Sequence, residues 1–334
     1  MTALLTVKDL RVDISTRAGL LHAVRGMSFE VHEGETLCIV GESGCGKSMT
    51  SLALMDLLPR KARRQAATLQ FGQTDMTRGR GAAAVRGNEM AMIFQEPMTA
   101  LNPAFPIGDQ MTEAYIHHKG ASRAEAEARA VEMLTEVGIA SPEKRLGQFP
   151  HQLSGGLRQR VMIAMALMTS PRLLIADEPT TALDVTIQAQ ILRLLRDLQD
   201  RLGIAIIFIT HDLGLVSRIA DRVVVMYAGA MVEEGSAAQI FDAPRHPYTR
   251  ALIDCIPQPG KTARGAALGT IAGVVPSLIG EVRGCAFRSR CPLAGPACTG
   301  DVPVRGDAGG HRWVCLADAP VPPDDNRPKA EVPA

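Results

Sequence analysis

A glycine-rich segment, GESGCGKS at 41–48, carries the residue types that bind nucleotide phosphates. It follows a predicted strand at 36–40 and leads into a helical pattern at 48–58, which is the context that a phosphate loop requires. Glycines let the backbone turn tightly, so that N–H groups and the helix N-terminus converge on the β- and γ-phosphates. The residues predicted to contact the nucleotide are Gly41, Glu42, Ser43, Gly44, Cys45, Gly46, Lys47, Ser48 and Met49.

Two adjacent acids end a continuous apolar run, LLIADE at 173–178. Such a run predicts a strand buried on both faces of a parallel sheet, with the acids at its carboxyl end. We expect Asp177 to bind Mg²⁺ together with the Ser48 hydroxyl, and Glu178 to act as the general base that polarises the attacking water. Acids in this position also cap helices or lie in solvent, so the pair alone does not establish a catalytic site.

A second anion-binding pattern, LSGGL at 153–157, opens a predicted helix shortly before the two acids. Ser154 is a predicted N-cap, and the N–H groups after it, from Gly155 and Gly156, are free to meet an anion. One nucleotide does not need two phosphate sites from one compact domain. We therefore expect this second site to close over nucleotide held by a partner subunit.

The order of these motifs resembles the nucleotide-binding subunit of an ABC transporter, for which LSGG is the distinguishing sequence. The resemblance implies ATP and Mg²⁺ as cofactors and ATP hydrolysis as the activity. Gln95 resembles the Q-loop glutamine that contacts Mg²⁺ or the attacking water, His211 the switch histidine, and Asp184 the D-loop aspartate that faces the partner's ATP. The expected catalytic residues are thus Glu178, His211 and Gln95, and the expected Mg²⁺ ligands are Ser48, Gln95 and Asp177. Ile14 stands where the family usually places an aromatic ring against adenine.

The elements that must hold these motifs predict an α/β fold, a P-loop NTPase (RecA-like) core. Residues 4–40 alternate in polarity between glycine turns and predict antiparallel strands ahead of the phosphate loop. A helical subdomain is expected as an insertion at about 96–157, and a small cysteine-containing extension at the C-terminus. The predicted domains are 1–245 for the nucleotide-binding domain and 246–334 for the extension.

Two further segments, LNPAFPIGDQ at 101–110 and APRHPYTRALI at 243–253, resemble the oligopeptide and dipeptide importer branch, which also includes nickel importers. That resemblance implies peptide import across the inner membrane, with two transmembrane permease subunits, an extracytoplasmic substrate-binding protein and a second ATPase, here expected to be a paralogue. Import of nickel or another small solute is the first alternative. A soluble ABC ATPase that acts on nucleic acid or ribosomes is the second, although the chain has neither a second cassette nor a long coiled-coil insertion.

Charge and hydropathy favour the transport hypothesis over the nucleic-acid one. Lys plus Arg (36) nearly equals Asp plus Glu (35), so no electrostatic case exists for nucleic acid. The longest apolar stretch, at 161–168, is far below the roughly 20 residues of a membrane span, and the N-terminus does not resemble a secretory signal. We expect a peripheral protein on the cytoplasmic face of the inner membrane.

Four of the seven cysteines, Cys285, Cys291, Cys298 and Cys315, lie within 31 residues in a C-x5-C-x6-C-x16-C pattern. Disulfides are disfavoured in the cytosol, which leaves metal binding or unused thiols. Zinc sites usually show closely paired cysteines, which are absent here. The looser spacing favours a [4Fe-4S] cluster, and similar cysteines bind one in some peptide-importer ATPases. A zinc site and an empty site remain the alternatives.

Overall fold

The computed structural model describes residues 2–78, 80–96, 100–181, 183–256 and 269–317. The predicted domain ranges also include 97–99, 257–268 and 318–334, which lie outside the described residues. The strands, in chain order, are β1 Ala3–Thr16, β2 Gly19–His32, β3 Thr36–Val40, β4 Ala62–Gln65, β5 Thr68–Phe71, β6 Thr74–Asp75, β7 Met90–Ile93, β8 Leu173–Asp177, β9 Ala205–Thr210, β10 Arg222–Tyr227, β11 Ala230–Ser236, β12 Arg305–Gly306 and β13 Arg312–Trp313.

Ten α-helices are assigned within the described segments. They are Lys47–Leu54, Arg80–Val85, Ile107–Lys119, Arg123–Glu136, Pro142–Leu146, Gly155–Leu167, Val185–Leu202, Leu213–Ile219, Ala237–Asp242 and Pro247–Asp254. Among the described helices, none is both long and apolar enough to cross a membrane.

An eight-stranded sheet in the order β12-β13-β11-β10-β3-β9-β8-β7 forms the centre of the fold. Its five strands from β10 to β7 are parallel, and every residue of β3, β8 and β9 is buried. The continuous apolar runs in the sequence are explained by this burial on both faces. Because parallel strands end at one edge, the segments that follow β3, β8 and β9 meet there.

The second sheet has five strands and is antiparallel. Strands β1 and β2 form its long hairpin, and β4 and β5 pair with β1. The sequence predicted antiparallel strands over the whole of 4–40, and the structure corrects the end of this range. Strand β3 belongs to the central sheet, where it runs parallel to β9 and β10, because its uninterrupted apolar sequence is compatible only with burial on both faces.

The predicted helical insertion corresponds to helices that lie between β7 and β8 in the chain. Helix Arg123–Glu136 begins with a capping box, in which Ser122 and Glu125 satisfy each other's backbone N–H groups. It packs against Ile107–Lys119 and Gly155–Leu167. The helix that opens with the LSGG motif is therefore held by this helical region.

The C-terminal region extends the central sheet, which the sequence did not predict. Strand β13 pairs with β11 at Glu233 and Glu234. The Glu233 carboxylate is fully buried; it accepts hydrogen bonds from the backbone N–H groups of Arg245 (2.6 Å) and His246 (2.8 Å) and lies 2.7 Å from Nε2 of His311. A buried carboxylate is tolerated when it is paired in this way, so Glu233 fastens both 245–246 and 311 to the sheet.

Candidate nucleotide site

The phosphate loop lies between β3 and helix Lys47–Leu54, and its glycines are required by close backbone contacts. A Cβ atom at Gly41 would lie 2.2 Å from the carbonyl oxygen of Met226, and one at Gly46 would lie 2.3 Å from that of Ala23. Gly46 also has a backbone φ of 101°, a conformation that residues other than glycine rarely adopt. The glycine pattern therefore reflects steric limits at these two positions.

The Lys47 side chain lies inside the loop. It is 4% exposed, and its Nζ donates hydrogen bonds to the carbonyl oxygens of Gly41 (2.7 Å) and Glu42 (3.1 Å). An ammonium group in this position places a positive charge where the loop's N–H groups converge, which favours a bound polyanion.

Two hydroxyl groups and one carboxylate form the site expected to bind Mg²⁺. Oγ of Ser48 donates to Oδ1 of Asp177 at 3.1 Å, and Oγ of Ser51 donates to Oδ2 at 3.1 Å. Asp177 is 3% exposed, and burial raises the pKa of its carboxyl group. A buried carboxylate beside a hydroxyl is a donor set that suits a hard divalent cation. Ser51, which sequence analysis missed, follows Ser48 by one helical turn.

Glu178 lies at the centre of the polar contacts at the strand edge. Its Oε2 accepts hydrogen bonds from Nε2 of Gln95 (3.2 Å) and Oγ1 of Thr181 (2.9 Å), while its Oε1 lies 3.2 Å from Nδ1 of His211. The structure thus brings together the three residues that the sequence nominated as catalytic. The sequence analysis did not predict a role for Thr181, although it follows Glu178 by only three residues.

The backbone of Glu178 has a φ of 45°, an uncommon conformation for a residue with a side chain. Its N–H group donates to the carbonyl oxygen of Ile209 at 2.9 Å, which ties β8 to β9 at this point. Such strain is characteristic of functional sites held by their surroundings. The turn directs the carboxylate towards Gln95 and His211.

One cavity of about 240 Å³ unites most of these groups. It is lined by Ile14, Leu21, Ala23, Ser43, Gly44, Gly46, Lys47, Ser48, Met49, Gln95, Glu178 and Leu278. Five other residues that the sequence predicted for the site do not line this cavity: Gly41, Glu42, Cys45, Asp177 and His211. Leu278 belongs to the C-terminal region, and no sequence signal linked it to the nucleotide motifs.

The second predicted anion site lies apart from this cavity. Ser154 caps helix Gly155–Leu167, since its Oγ accepts from the N–H group of Leu157 at 3.4 Å. Ser154 and Gly155 are exposed, and Gly156 packs closely against Ile187. The LSGG motif therefore presents a capped helix N-terminus to the surroundings of the chain.

Asp184 also serves as a helix N-cap. Its Oδ1 accepts a hydrogen bond of 3.0 Å from the N–H group of Ile187, at the start of helix Val185–Leu202. Because Ile187 contacts Gly156, the Asp184 cap and the LSGG helix lie side by side.

The phosphate loop is also held from the C-terminal side. Oη of Tyr248, a fully buried residue, accepts a hydrogen bond of 2.9 Å from the backbone N–H of Glu42. The ring of Tyr248 packs at a tilt against those of Tyr227 and Phe287, with interplanar angles of 57° in both pairs. The HPY sequence at 246–248 therefore contributes to the position of the loop, which its residue types alone did not indicate.

The four clustered cysteines line a second cavity, of about 200 Å³. None of the seven cysteines forms a disulfide, and burial raises the thiol pKa of Cys285, Cys291 and Cys315. Within the described segments, no group of three or more His, Cys, Asp or Glu residues has an arrangement that could hold a metal ion. This finding supports neither the predicted [4Fe-4S] cluster nor the zinc alternative.

Two family models match the chain. One, described as "ABC transporter", matches residues 24–181, and the other, "Oligopeptide/dipeptide transporter, C-terminal region", matches residues 232–298. The first range contains the phosphate loop, the LSGG motif and both acids. The second contains Tyr248 and three of the four clustered cysteines.

The sequence similarity to known proteins covers most of the chain. A probable peptide ABC transporter ATP-binding protein of Sinorhizobium fredii is 50% identical over 316 residues, which cover 93% of this chain and 94% of that protein. The dipeptide transport ATP-binding protein DppD of Bacillus subtilis is 49% identical over 87% of this chain and 88% of its own length. The oligopeptide transport ATP-binding protein OppD of the same organism is 50% identical, over 88% and 83% respectively.

Solved structures agree with the fold. CbiO1 of Clostridium perfringens, part of the ABC transporter complex cbiONQ, has a TM-score of 0.62 at 28% identity and covers 72% of this chain and 92% of its own. The ATP-binding cassette MJ0796, in a dimeric post-hydrolysis state with ADP and Pi, has a TM-score of 0.61 at 25% identity, with 70% and 98% covered. The predicted P-loop fold and ATPase activity are confirmed, and the chain belongs to the ABC transporter ATP-binding subunits that carry the oligopeptide/dipeptide transporter C-terminal region.

Proposed function

We propose that this chain hydrolyses ATP to power the import of peptides across the inner membrane, on whose cytoplasmic face it is bound. The observation that carries the proposal is the combination of a complete hydrolytic group, Gln95, Glu178 and His211, with a C-terminal region of the peptide-transporter type. Relatives that cover more than four-fifths of the chain are named as peptide, dipeptide or oligopeptide transport proteins.

In the proposed reaction, the Glu178 carboxylate accepts a hydrogen bond from the attacking water and so polarises it. Gln95 and His211 hold the Glu178 carboxylate in position. Lys47 and the loop N–H groups bind the β- and γ-phosphates. Ser48 and Asp177 would hold Mg²⁺, with Gln95 nearby, and the bound cation would neutralise charge on the phosphate oxygens. The protein's main contribution is therefore positioning and charge neutralisation.

The dimer is the second part of the proposal. We propose that the exposed helix start at Ser154, Gly155 and Gly156 caps ATP held by a second ATPase subunit. Asp184 is proposed to face the same nucleotide. This assignment is supported by the exposure of Ser154 and Gly155 and by their position outside the chain's own nucleotide cavity. Membership of the family implies such an ATPase partner, and we propose that the partner is a paralogue of this chain.

The membrane partners are proposed to be two permease subunits, supplied with substrate by an extracytoplasmic binding protein. A groove of about 310 Å³ beside Gln95 is the proposed contact. Its lining is mainly apolar and includes Met92, Phe94, Leu101 and Met165, and Phe94 is 42% exposed. The apolar lining and the exposed Phe94 side chain support this assignment. The division of the chain at 245/246 remains a proposal as well.

Uptake of labelled solutes tests the proposed transport function. Cells that lack this chain would be complemented with the wild type or with Glu178→Gln, and uptake of a radiolabelled dipeptide, a radiolabelled pentapeptide and ⁶³Ni²⁺ would be compared. Peptide uptake that returns with the wild type alone supports the proposal. Return of nickel uptake alone would favour the small-solute alternative, and unchanged uptake of all three would reject an import role.

We also propose that Cys285, Cys291, Cys298 and Cys315 hold a [4Fe-4S] cluster. The proposal is supported by their position around one cavity and by a spacing that lacks the closely paired cysteines of zinc sites. The test is iron and acid-labile sulfide analysis after anaerobic purification. Iron and sulfide near four per chain are expected for the wild type and for Cys255→Ser, a matched control outside the cavity, with loss in Cys291→Ser. Absence of both from the wild type would refute the cluster.

A further inference from the structure

The nucleotide cavity has two chemically different ends. Around the phosphate loop its lining is polar and charged, with Lys47, Gln95 and Glu178. The lining residues that come from the β1–β2 hairpin and from the C-terminal region are aliphatic: Ile14, Leu21, Ala23 and Leu278. ATP has the same asymmetry, because its triphosphate is charged whereas the faces of its purine ring are weakly polar. Phosphates at the loop therefore place the base beside the aliphatic residues.

The aliphatic residues form one continuous wall. Ile14 and Leu21 are cross-strand partners in the β1–β2 hairpin, so their side chains share a face of the sheet. Ala23 lies two residues further along β2, and its carbonyl oxygen adjoins Gly46 of the phosphate loop. The wall thus begins at the loop and runs along the hairpin.

Leu278 completes this wall from the C-terminal region. Its carbonyl oxygen accepts a hydrogen bond of 2.9 Å from the N–H group of His22, and the N–H group of Gly280 donates to Leu20 at 3.2 Å. Residue 279 pairs with Leu21 as an antiparallel bridge. Strand β2 is the edge strand of its sheet, so 278–280 covers a backbone edge that would otherwise be open. The Leu278 residue is 7% exposed.

The start of the same segment is held independently. The Arg290 guanidinium donates to the carbonyl oxygens of Ile271 (3.0 Å) and Ala272 (2.9 Å) while it pairs with Glu42 of the phosphate loop. The segment 271–280 is therefore fixed at one end to the loop and at the other to β2. Leu278 is placed by backbone contacts on both sides.

We infer that Leu278 is a nucleotide-binding residue, which packs against the adenine ring together with Ile14 and Leu21. The C-terminal region then completes the ATP site instead of being only an appendage to it. The inference rests on the ATPase function assigned above. It also implies that this wall recognises the apolar face of the base, since all four aliphatic side chains lack hydrogen-bonding groups.

Binding of two ligands to Leu278→Ala tests the inference. The probes are Mg²⁺-ATP and Mg²⁺-tripolyphosphate, which share the phosphates but differ in the base. We expect the Kd for ATP to rise about fivefold, because the truncation removes about 40 Å² of apolar contact, while the Kd for tripolyphosphate is unchanged. Ile279→Ala is the matched control, since Ile279 is on the same segment, is 39% exposed and does not line the cavity. It should change neither Kd.

Photolabelling of the wild type provides a test that does not depend on the folding of a variant. The azide of 8-azido-ATP sits on the purine ring, and we expect it to label the tryptic peptide 265–283, which contains Leu278. Label confined to other peptides would overturn the inference, as would an equal loss of ATP and tripolyphosphate binding in Leu278→Ala. A wild-type protein that binds no ATP at all would instead refute the assigned ATPase function.

Discussion

Arg290 and Glu42 form a two-point ion pair that joins the cysteine segment to the phosphate loop. The two guanidinium nitrogens lie 2.7 and 3.0 Å from the two carboxylate oxygens, and the Arg290 side chain is only 3% exposed. Arg290 directly precedes Cys291 in the chain, so this contact lies next to the cysteine cavity. Paired geometry of this kind is among the stronger polar interactions in proteins.

We predict that Arg290→Met lowers the free energy of unfolding by about 2–3 kcal/mol, because Glu42 keeps its charge but loses its partner. Urea unfolding of Arg290→Met, Glu42→Gln and the double variant measures the coupling. The double variant should be less destabilised than the sum of the single variants. Strictly additive effects would show that the pair contributes no coupling. Arg283→Met, whose ion pair with Glu281 is exposed, is the matched control in the same segment.

Glu178→Gln is predicted to reduce kcat for ATP hydrolysis by about 10²–10⁴-fold, the usual effect of removing a general base. Glutamine has nearly the same shape, so ATP binding should persist. Single-turnover hydrolysis and equilibrium ATP binding would be measured on the same preparation. Glu143→Gln, in the short helix Pro142–Leu146, should leave both unchanged. Hydrolysis at the wild-type rate in Glu178→Gln would remove this residue from the catalytic role.

Thr181 is predicted to act as a positioning residue for Glu178, whose Oε2 accepts its hydroxyl at 2.9 Å. Thr181→Val removes one hydrogen bond to a charged group, so kcat should fall by about tenfold. The KM for ATP should stay the same, because Thr181 does not line the nucleotide cavity. Thr181→Ser restores the hydroxyl and should restore kcat. A fall in both valine and serine variants would indicate a packing defect instead.

The sequence predicted the site to the extent that its chemistry is encoded in short contiguous motifs. The glycines of the loop, the acids at the end of β8 and the histidine after β9 are each readable locally, and parallel strands then bring their ends together. Gln95, Glu178 and His211 were nominated in this way and do meet.

Contacts that span the whole chain were not predictable from local pattern. Tyr248 and Arg290 both bind Glu42, at separations of 206 and 248 residues, and Leu278 reaches the nucleotide cavity from the C-terminal region. Strands β12 and β13 are two residues long, which is too short to show alternation. These elements exist because the sheet edge and the buried Glu233 hold them, which is a tertiary effect.

We predict that the folded protein loses stability in acid because of His246. It is buried, burial lowers its pKa from 6.5 to about 4, and its Nδ1 accepts a hydrogen bond of 3.1 Å from the N–H group of Tyr248. The folded chain therefore keeps this imidazole neutral where the unfolded chain protonates it. Stability is fully present above pH 6.5 and falls as the pH drops towards 4, by about 3 kcal/mol in total.

His246→Asn isolates this contribution, because the asparagine carbonyl can accept the same cap hydrogen bond but does not titrate. The free energy of unfolding would be measured between pH 7.5 and 4 for both proteins. Contributions from titrating groups remote from His246 cancel in the difference, whereas the interaction of His246 with Glu233 is part of the measured effect. The wild type should lose stability more steeply than the variant below pH 6.5, whereas parallel curves would mean that His246 is protonated as readily in the folded chain as in the unfolded one.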